Sequence, residues 1–306
     1  MTKVAIIGSG FVGSTAAYAM MIKQTASEIV IVDIDKEKAE GQAMDLEHGM
    51  QFVPGSKITY GDEYSLCKDA DVIVITAGLA QKPGETRLDL VKKNAAVFKE
   101  MIPKIVEQNN KAVFLIISNP VDIMTYLTIK YSGLPKTQVI GSGTSLDTAR
   151  LRHYLGEEFG ISPHSVHAYI FGEHGDSEFP VWSRATVGGQ RIYDMNGFDR
   201  EHMDEIFRKT KNAAYEIIAK KGSTYYAIGL VIEQIVNVII NDENLVLPVS
   251  VYLNNYYDVG DVCLSIPCIV GRGGIKKKMQ LPLNEEEQDQ LRTSSRILKE
   301  IIGGIE

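Results

Sequence analysis

His174 stands between glycines in the run Gly172-Glu173-His174-Gly175-Asp176, directly after a strand-like stretch at 165–171. A ring placed there can project from a strand end, and histidine is the side chain whose charge changes near neutral pH, which suits it to general acid–base work. Four of the other histidines, His48, His153, His164 and His202, lack such a setting and read as structural or surface residues. Asp147 and Arg150 are three apart in a helical stretch, so they share a face. A planar guanidinium suits bidentate capture of a carboxylate, whereas the same spacing also suits an ordinary surface ion pair. Spacing alone leaves both open. Arg152 points nearly the opposite way from Arg150, so the two cannot serve one ligand.

A second constellation opens the chain. Val4-Ala5-Ile6-Ile7 runs into Gly8-Ser9-Gly10-Phe11-Val12-Gly13, a helical stretch follows, and Ile29-Val30-Ile31-Val32 ends at Asp33. Gly8 permits a tight turn, Gly10 lets backbone approach a pyrophosphate, and Gly13 lets the helix pack close on the strand. The diphosphate would sit at the helix N-terminus, where unpaired N–H groups and the dipole favour an anion. Asp33 can accept from a ribose 2′-OH and would repel a 2′-phosphate, so the cofactor expected is NAD rather than NADP.

The elements that position these groups follow in order. A helix is expected at 36–46 and a short strand at 57–60. Asp71-Val72-Ile73-Val74-Ile75-Thr76 and Ala112-Val113-Phe114-Leu115-Ile116-Ile117 are β-branched and apolar, as in parallel strands buried on both faces. The first ends at Ala77-Gly78, and the loop Leu79-Ala80-Gln81-Lys82-Pro83-Gly84-Glu85-Thr86-Arg87 leaves the carboxyl edge of the sheet. Open α/β sheets bind ligands at that edge. The loop reads as a lid before a long helix at 88–108. The second strand ends at Ser118-Asn119-Pro120-Val121-Asp122, where Asn119 can present its amide to a ligand at the same edge or bond locally in the turn. A strand at 139–141 closes this domain. Further on, helices are expected at 200–221, 225–240 and 284–302, the last capped by Asn284 and Glu287, with paired strands at 246–252 and 262–269. Lys276-Lys277-Lys278 reads as a solvated turn.

Composition narrows the class. A chain of 306 residues, 44% hydrophobic and 23% charged, is long enough for about two domains. The net charge of -7 comes with no basic stripe, so nucleic acid is not an expected partner. Cys67, Cys263 and Cys268 lack C-x-x-C spacing, which argues against a disulfide framework or zinc site, and no metal is expected. The first strand begins at Lys3 and the most apolar helix carries Glu233, Gln234 and Asn237, so the expectation is a soluble cytoplasmic protein with no membrane partner.

Five segments in this order resemble the lactate/malate dehydrogenase superfamily: residues 4–33, the 77–87 loop, Ile117-Ser118-Asn119-Pro120-Val121-Asp122, Leu146-Asp147-Thr148-Ala149-Arg150, and Gly172-Glu173-His174-Gly175-Asp176. The resemblance spans nearly the whole chain and is closest to the family's bacterial lactate enzymes. It implies an α/β fold, with a Rossmann-type NAD-binding domain at 1–141 followed by an α+β catalytic domain at 142–306. The implied reaction is hydride transfer between NADH and C2 of pyruvate, while protonated His174 donates to the carbonyl oxygen; L-lactate oxidation is the reverse. Asp147 becomes the partner of His174, Arg150 the carboxylate clamp, and Arg87 the group brought in by the lid to polarise the carbonyl, with Asn119 beside it. The cofactor set is Gly8, Gly10, Phe11, Val12, Gly13, Asp33, Thr76, Ala77, Gly78, Asn119 and Ile228, and Thr224 joins the substrate pocket. Gln81 stands where the family's malate enzymes carry arginine. Closing a lid over a second carboxylate with no cation costs roughly 2–5 kcal/mol, so pyruvate is expected over oxaloacetate. Arg152 and His167 match the pair that binds fructose 1,6-bisphosphate across a subunit interface in allosteric relatives, and a homotetramer is implied. Readings that compete are a malate or broader L-2-hydroxy acid dehydrogenase, an NAD-dependent glycoside hydrolase, and a non-catalytic NAD-binding protein. The hydrolase needs a metal-binding Cys/His set, yet Ser118 precedes Asn119 and no cysteine lies near His174 in the sequence.

Overall fold

Short apolar runs alternate with helices through the first half: β1 (Lys3–Ile7), α1 (Phe11–Lys23), β2 (Glu28–Val32), α2 (Lys36–His48), β3 (Lys57–Gly61), β4 (Val72–Ile75), α3 (Arg87–Gln108), β5 (Val113–Ile116), α4 (Val121–Ser132) and β6 (Val139–Gly141). The computed structural model describes residues 2–79, 87–196 and 198–305, so residues 80–86 of the lid expected at 79–87, and the Arg87 side chain, lie outside the described residues. Every residue of β4 and β5 is buried, because helices cover both faces of the sheet. These strands pair in parallel in the order β3-β2-β1-β4-β5-β6. Growth of the sheet reverses between β1 and β4, and the crevice at their carboxyl ends is where such sheets bind ligands.

The second half runs α5 (Ser145–Phe159), β7 (Val166–His167), β8 (Ile170–Phe171), β9 (Phe179–Pro180), β10 (Thr186–Val187), β11 (Gln190–Arg191), α6 (Arg200–Lys221), α7 (Tyr226–Asn241), β12 (Leu245–Leu253), β13 (Val262–Gly271), β14 (Gly274–Lys278) and α8 (Glu285–Gly303). The strand at 139–141 does not end the sheet. Ser250 of β12 pairs antiparallel with Gly141, and β13 and β14 extend the sheet to nine strands. The three lysines at 276–278 are strand rather than turn, and Lys278 donates to the Tyr252 carbonyl at 2.6 Å. Their charge disguises an edge strand, since lysine is a common way to protect an edge. The stretch at 165–171 is not one strand either: β7 and β8 join different small sheets on either side of Ala168-Tyr169. Among the described residues no helix is long and apolar enough to cross a membrane.

Local chemistry explains the helix ends that matter. Asp35 caps α2 by accepting from Lys38 N–H, and Asn284 and Glu287 form a reciprocal capping box on α8. The cap of α1 is Gly10, which makes no side-chain hydrogen bond, and the first turn holds no acid, so that helix start is left able to receive an anion. Helices α1 and α7 meet where a Cβ on Gly229 would lie 2.6 Å from Thr15. The buried Glu233 carboxylate, bonded by Lys23 Nζ at 2.8 Å and Thr25 Oγ1 at 2.7 Å, fastens the same pair.

Gly8 turns at φ +106°, and a Cβ on Gly13 would stand 2.0 Å from the Gly8 carbonyl oxygen. Gly13→Ala should therefore cost about 1–3 kcal/mol despite alanine's better helix propensity. Urea unfolding reads this; stability equal to the parent's would contradict so tight a contact.

Candidate active site

Helix α5 leaves β6 through a short turn, and its first turn carries Asp147, 3% exposed. The Asp147 carboxylate faces His174 Nδ1 at 2.6 Å through Oδ2, and accepts from Arg150 Nη1 at 2.9 Å through Oδ1. The ion pair and the potential clamp are thus the same residue, since one guanidinium nitrogen holds Asp147 and, among the described residues, the other donors make no hydrogen bond that would keep them from a ligand. His174 is fixed from behind as well: its backbone N–H donates to Asp122 Oδ2 at 2.7 Å, and Asp122 Oδ1 accepts from Ser250 at 2.6 Å. One buried carboxylate therefore ties α4, β12 and the His174 loop together.

Electrostatics follow from these contacts. Burial alone would lower the imidazole, but Asp147, with Glu178 and Asp122 farther off, raises it from 6.5 to about 9. Burial would raise Asp147, yet His174 and Arg150 hold it below its ordinary value. Burial pushes Asp122 up to about 6 against its two hydrogen bonds. Among Asp147, His174 and Arg150 one positive charge is left over near neutral pH, and a monocarboxylate is the matching ligand.

These groups line a cavity of about 370 Å³ with Asn119, Glu178, Lys211 and Leu90. A second cavity, about 320 Å³, lies at the switch point of the sheet and is lined by Gly8, Gly10, Asp33, Lys38, Thr76, Ala77 and Gly78. A Cβ on Gly10 would meet nothing within 4 Å, so the backbone there is open to a bound group. Burial disfavours ionisation of Asp33, but the Ser9 N–H at 2.6 Å, the Asp35 N–H at 3.1 Å and the Ser9 hydroxyl at 2.7 Å hold its carboxyl below the usual range. Thr76 Oγ1 donates to the carbonyls of Ile7 and Gly8, bracing the turn. This open glycine backbone beside an ionised acid fits a dinucleotide.

Other expected residues sit elsewhere. Phe11 is exposed and stacks on Tyr225 at 5.1 Å, while Val12 and Gly13 lie behind the turn rather than on the cavity wall. Thr224 precedes α7 by two residues, and Ile228 is half-buried in its first turn against the main core; neither lines either cavity. Arg152 bonds the Ala168 carbonyl at 3.0 Å and lies over the Tyr169 ring, with His167 exposed on the adjacent strand. Gln81 lies outside the described residues. Four contributors escaped the sequence reading. Asn94, buried on α3, joins Leu79 N–H to the Asn119 carbonyl, and Asp122, Glu178 and Lys211 sit around His174.

The sequence models of two family domains match the chain: lactate/malate dehydrogenase, NAD binding domain, over residues 2–141, and the alpha/beta C-terminal domain over 144–306. This chain belongs to the lactate/malate dehydrogenase family. Family relatives include an L-lactate dehydrogenase 1 of Bacillus cereus, 48% identical with 100% of this chain and 98% of the relative covered. An L-lactate dehydrogenase of Synechococcus is 49% identical over 99% of each. Among solved members, a lactate dehydrogenase from a deep-sea metagenome of the Medee basin superposes with a TM-score of 0.96 at 45% identity, covering 99% of this chain and 98% of that one. The minor L-lactate dehydrogenase of Enterococcus mundtii gives 0.97 at 42%, covering 100% and 98%. The family's NAD-binding domain thus contains the glycine turn and Asp33, and its C-terminal domain contains Asp147, Arg150 and His174.

The raised His174 value has a stability consequence. Its contribution is complete below pH 6.5 and lost as pH rises through about 9, a change on the order of 3 kcal/mol. Asp147→Asn should flatten the fall in urea-unfolding free energy between pH 6 and 9.5. An unchanged slope would mean that Asp147 does not hold the proton.

Proposed function

We propose that the protein is an L-lactate dehydrogenase, reducing pyruvate to L-lactate with NADH and working in the cytoplasm. The observation that carries this is the His174–Asp147–Arg150 set on one cavity wall, in a chain whose other half is the family's NAD-binding domain. NAD, when bound, supplies or takes up the hydride. The turn at Gly8 and Gly10, with Thr76, Ala77 and Gly78, would hold its phosphates and nicotinamide half, and Asp33 its adenosine ribose.

The chain's own residues do the rest. Arg150 binds the substrate carboxylate while keeping Asp147 in place. His174, protonated, gives its ring proton to the carbonyl oxygen as that oxygen becomes hydroxyl, and Asp147 stabilises the imidazolium and orients the ring. Arg87 and Asn119 polarise the same oxygen. Thr224 and Ile228 belong to the walls completed when substrate and cofactor are in place. The three cysteines are buried, with thiols raised by burial, and none lines the cavity, which leaves the hydrolase reading without its ligand set.

Substrate choice rests on Gln81, which offers no cation to a second carboxylate. A broader 2-hydroxy acid reading draws on Lys211, which lines the cavity and donates to the Asp176 carbonyl. Arg152 and His167 are the proposed fructose 1,6-bisphosphate contacts, completed by a neighbouring subunit in a homotetramer. The exposed apolar residues Phe11, Tyr18 and Ile22 of α1 and Tyr226 and Leu230 of α7 support association.

NADH oxidation at neutral pH should favour pyruvate over oxaloacetate in kcat/KM by about 30-fold to several thousand-fold, and Gln81→Arg should erase most of that ratio. Oxaloacetate preferred by the parent enzyme would overturn the substrate assignment, and its loss in Lys211→Met would name the cation responsible. A KM for pyruvate unmoved by fructose 1,6-bisphosphate would remove the effector.

A further inference from the structure

Glu178 follows His174 by four residues in the loop between β8 and β9. It is 6% exposed, yet it is one of the residues that line the substrate cavity. One of its oxygens, one Asp147 oxygen and one His174 ring nitrogen all lie within 4.8 Å of one another. Buried acids elsewhere in the fold are tied down: Glu233 by Lys23 and Thr25, Glu287 by Ser183 and the cap of α8, Asp122 by Ser250 and the His174 N–H. Among the described residues the Glu178 carboxyl has no such hydrogen bond. Its neighbours are charges.

We propose that Glu178 is a positioning residue for the transferred proton, a second acid whose ionisation is shared with His174 so that the imidazole stays charged into the alkaline range. The inference rests on the reading of His174 as the acid in pyruvate reduction. The groups facing the pair are Asp147 and Arg150 from α5, Lys211 from α6, Asp122 from α4, and Asp176 in the same loop. Burial, with the Asp147 charge next, pushes the Glu178 carboxyl well above its ordinary 4.5, against the pull of His174, Lys211 and Arg150.

At neutral pH the pair therefore carries two protons, one on each member. Two groups this close titrate as a unit, and the first proton lost on raising the pH leaves either a carboxylate beside an imidazolium or a neutral acid beside a neutral ring, whichever pair the site stabilises more. If Glu178 releases it, a carboxylate forms beside the imidazolium and favours the charged ring. Without Glu178 only the imidazole can lose that proton, and the acid needed for pyruvate disappears at lower pH. Each reduction moves one proton from His174 to the substrate oxygen, and water restores it afterwards; Glu178 changes only the pH at which the restored ring is charged.

Glu178→Gln keeps the shape and removes the ionisation. Whatever its effect on the absolute rate at pH 6, NADH affinity should be unchanged and the alkaline limb of kcat/KM should move down by about one unit, the low end of what a charge at this distance does. Glu178→Asp should recover part of that shift. A Glu178→Gln limb superimposed on the parent's overturns the proposal. Selective carboxyl labelling gives a second measurement on the unmutated protein: Glu178 should be protonated at neutral pH and titrate together with His174, and a carboxyl ionised at neutral pH overturns the sharing. His174→Asn separates the two claims. If its residual activity keeps the parent's alkaline limb, the imidazole reading fails beneath the proposal, whereas loss of that limb leaves the outcome to Glu178.

Discussion

Asp147 places a negative charge where water hardly reaches it, and that charge is sustained because His174 and Arg150 face it at 2.6 and 2.9 Å. A buried carboxylate stripped of either partner would be expensive, and each partner in turn depends on the acid. His174 keeps its proton because Asp147 is there, and Arg150 is aimed into the cavity because one of its nitrogens is spoken for. The proposed acid catalysis and carboxylate recognition would both follow from this one ion triad.

The fold exists around that triad in a concrete sense. Asp147 is brought to the cavity by α5, which starts just past β6, the strand where parallel pairing gives way to the antiparallel β12. His174 arrives from the second half of the chain and is fixed by the backbone bond to Asp122, whose other oxygen is held by Ser250 of β12. The nine-stranded sheet thus supplies both sides of the site. The nucleotide cavity shares its edge, with Asn94 joining the segment after β4 to the turn at Asn119.

Legibility in the sequence tracked the range of the interaction. The βαβ unit was readable because glycine turn, strands and terminal acid lie within about thirty residues and each obeys a local rule. The Asp147–Arg150 pair was readable as a shared helix face, with ion pair and clamp both left open, and its partnership with His174, 27 residues on, came only from resemblance. Nothing in spacing announces that two loops will meet. Glu178 and Asp122 went unread because a lone acid usually marks a solvated surface; the available signal was their setting, Glu178 before Phe179-Pro180-Val181-Trp182 and Asp122 between Val121 and Ile123. The lysines of β14 misled for the converse reason, since charge on an edge strand looks like a turn when its pairing partner is unseen. The single sheet spanning both halves was hidden for the same cause, because the bridge at Gly141 and Ser250 joins residues over a hundred positions apart.

Everything at this site depends on Asp147 keeping His174 protonated through neutral pH. Ring-nitrogen NMR of histidine-labelled protein, with His174 assigned by comparison with His174→Asn, reads it directly. Both ring nitrogens should be protonated at pH 7, with an inflection at about 9. An inflection near the ordinary 6.5 would contradict it and leave the site without a resident acid at neutral pH.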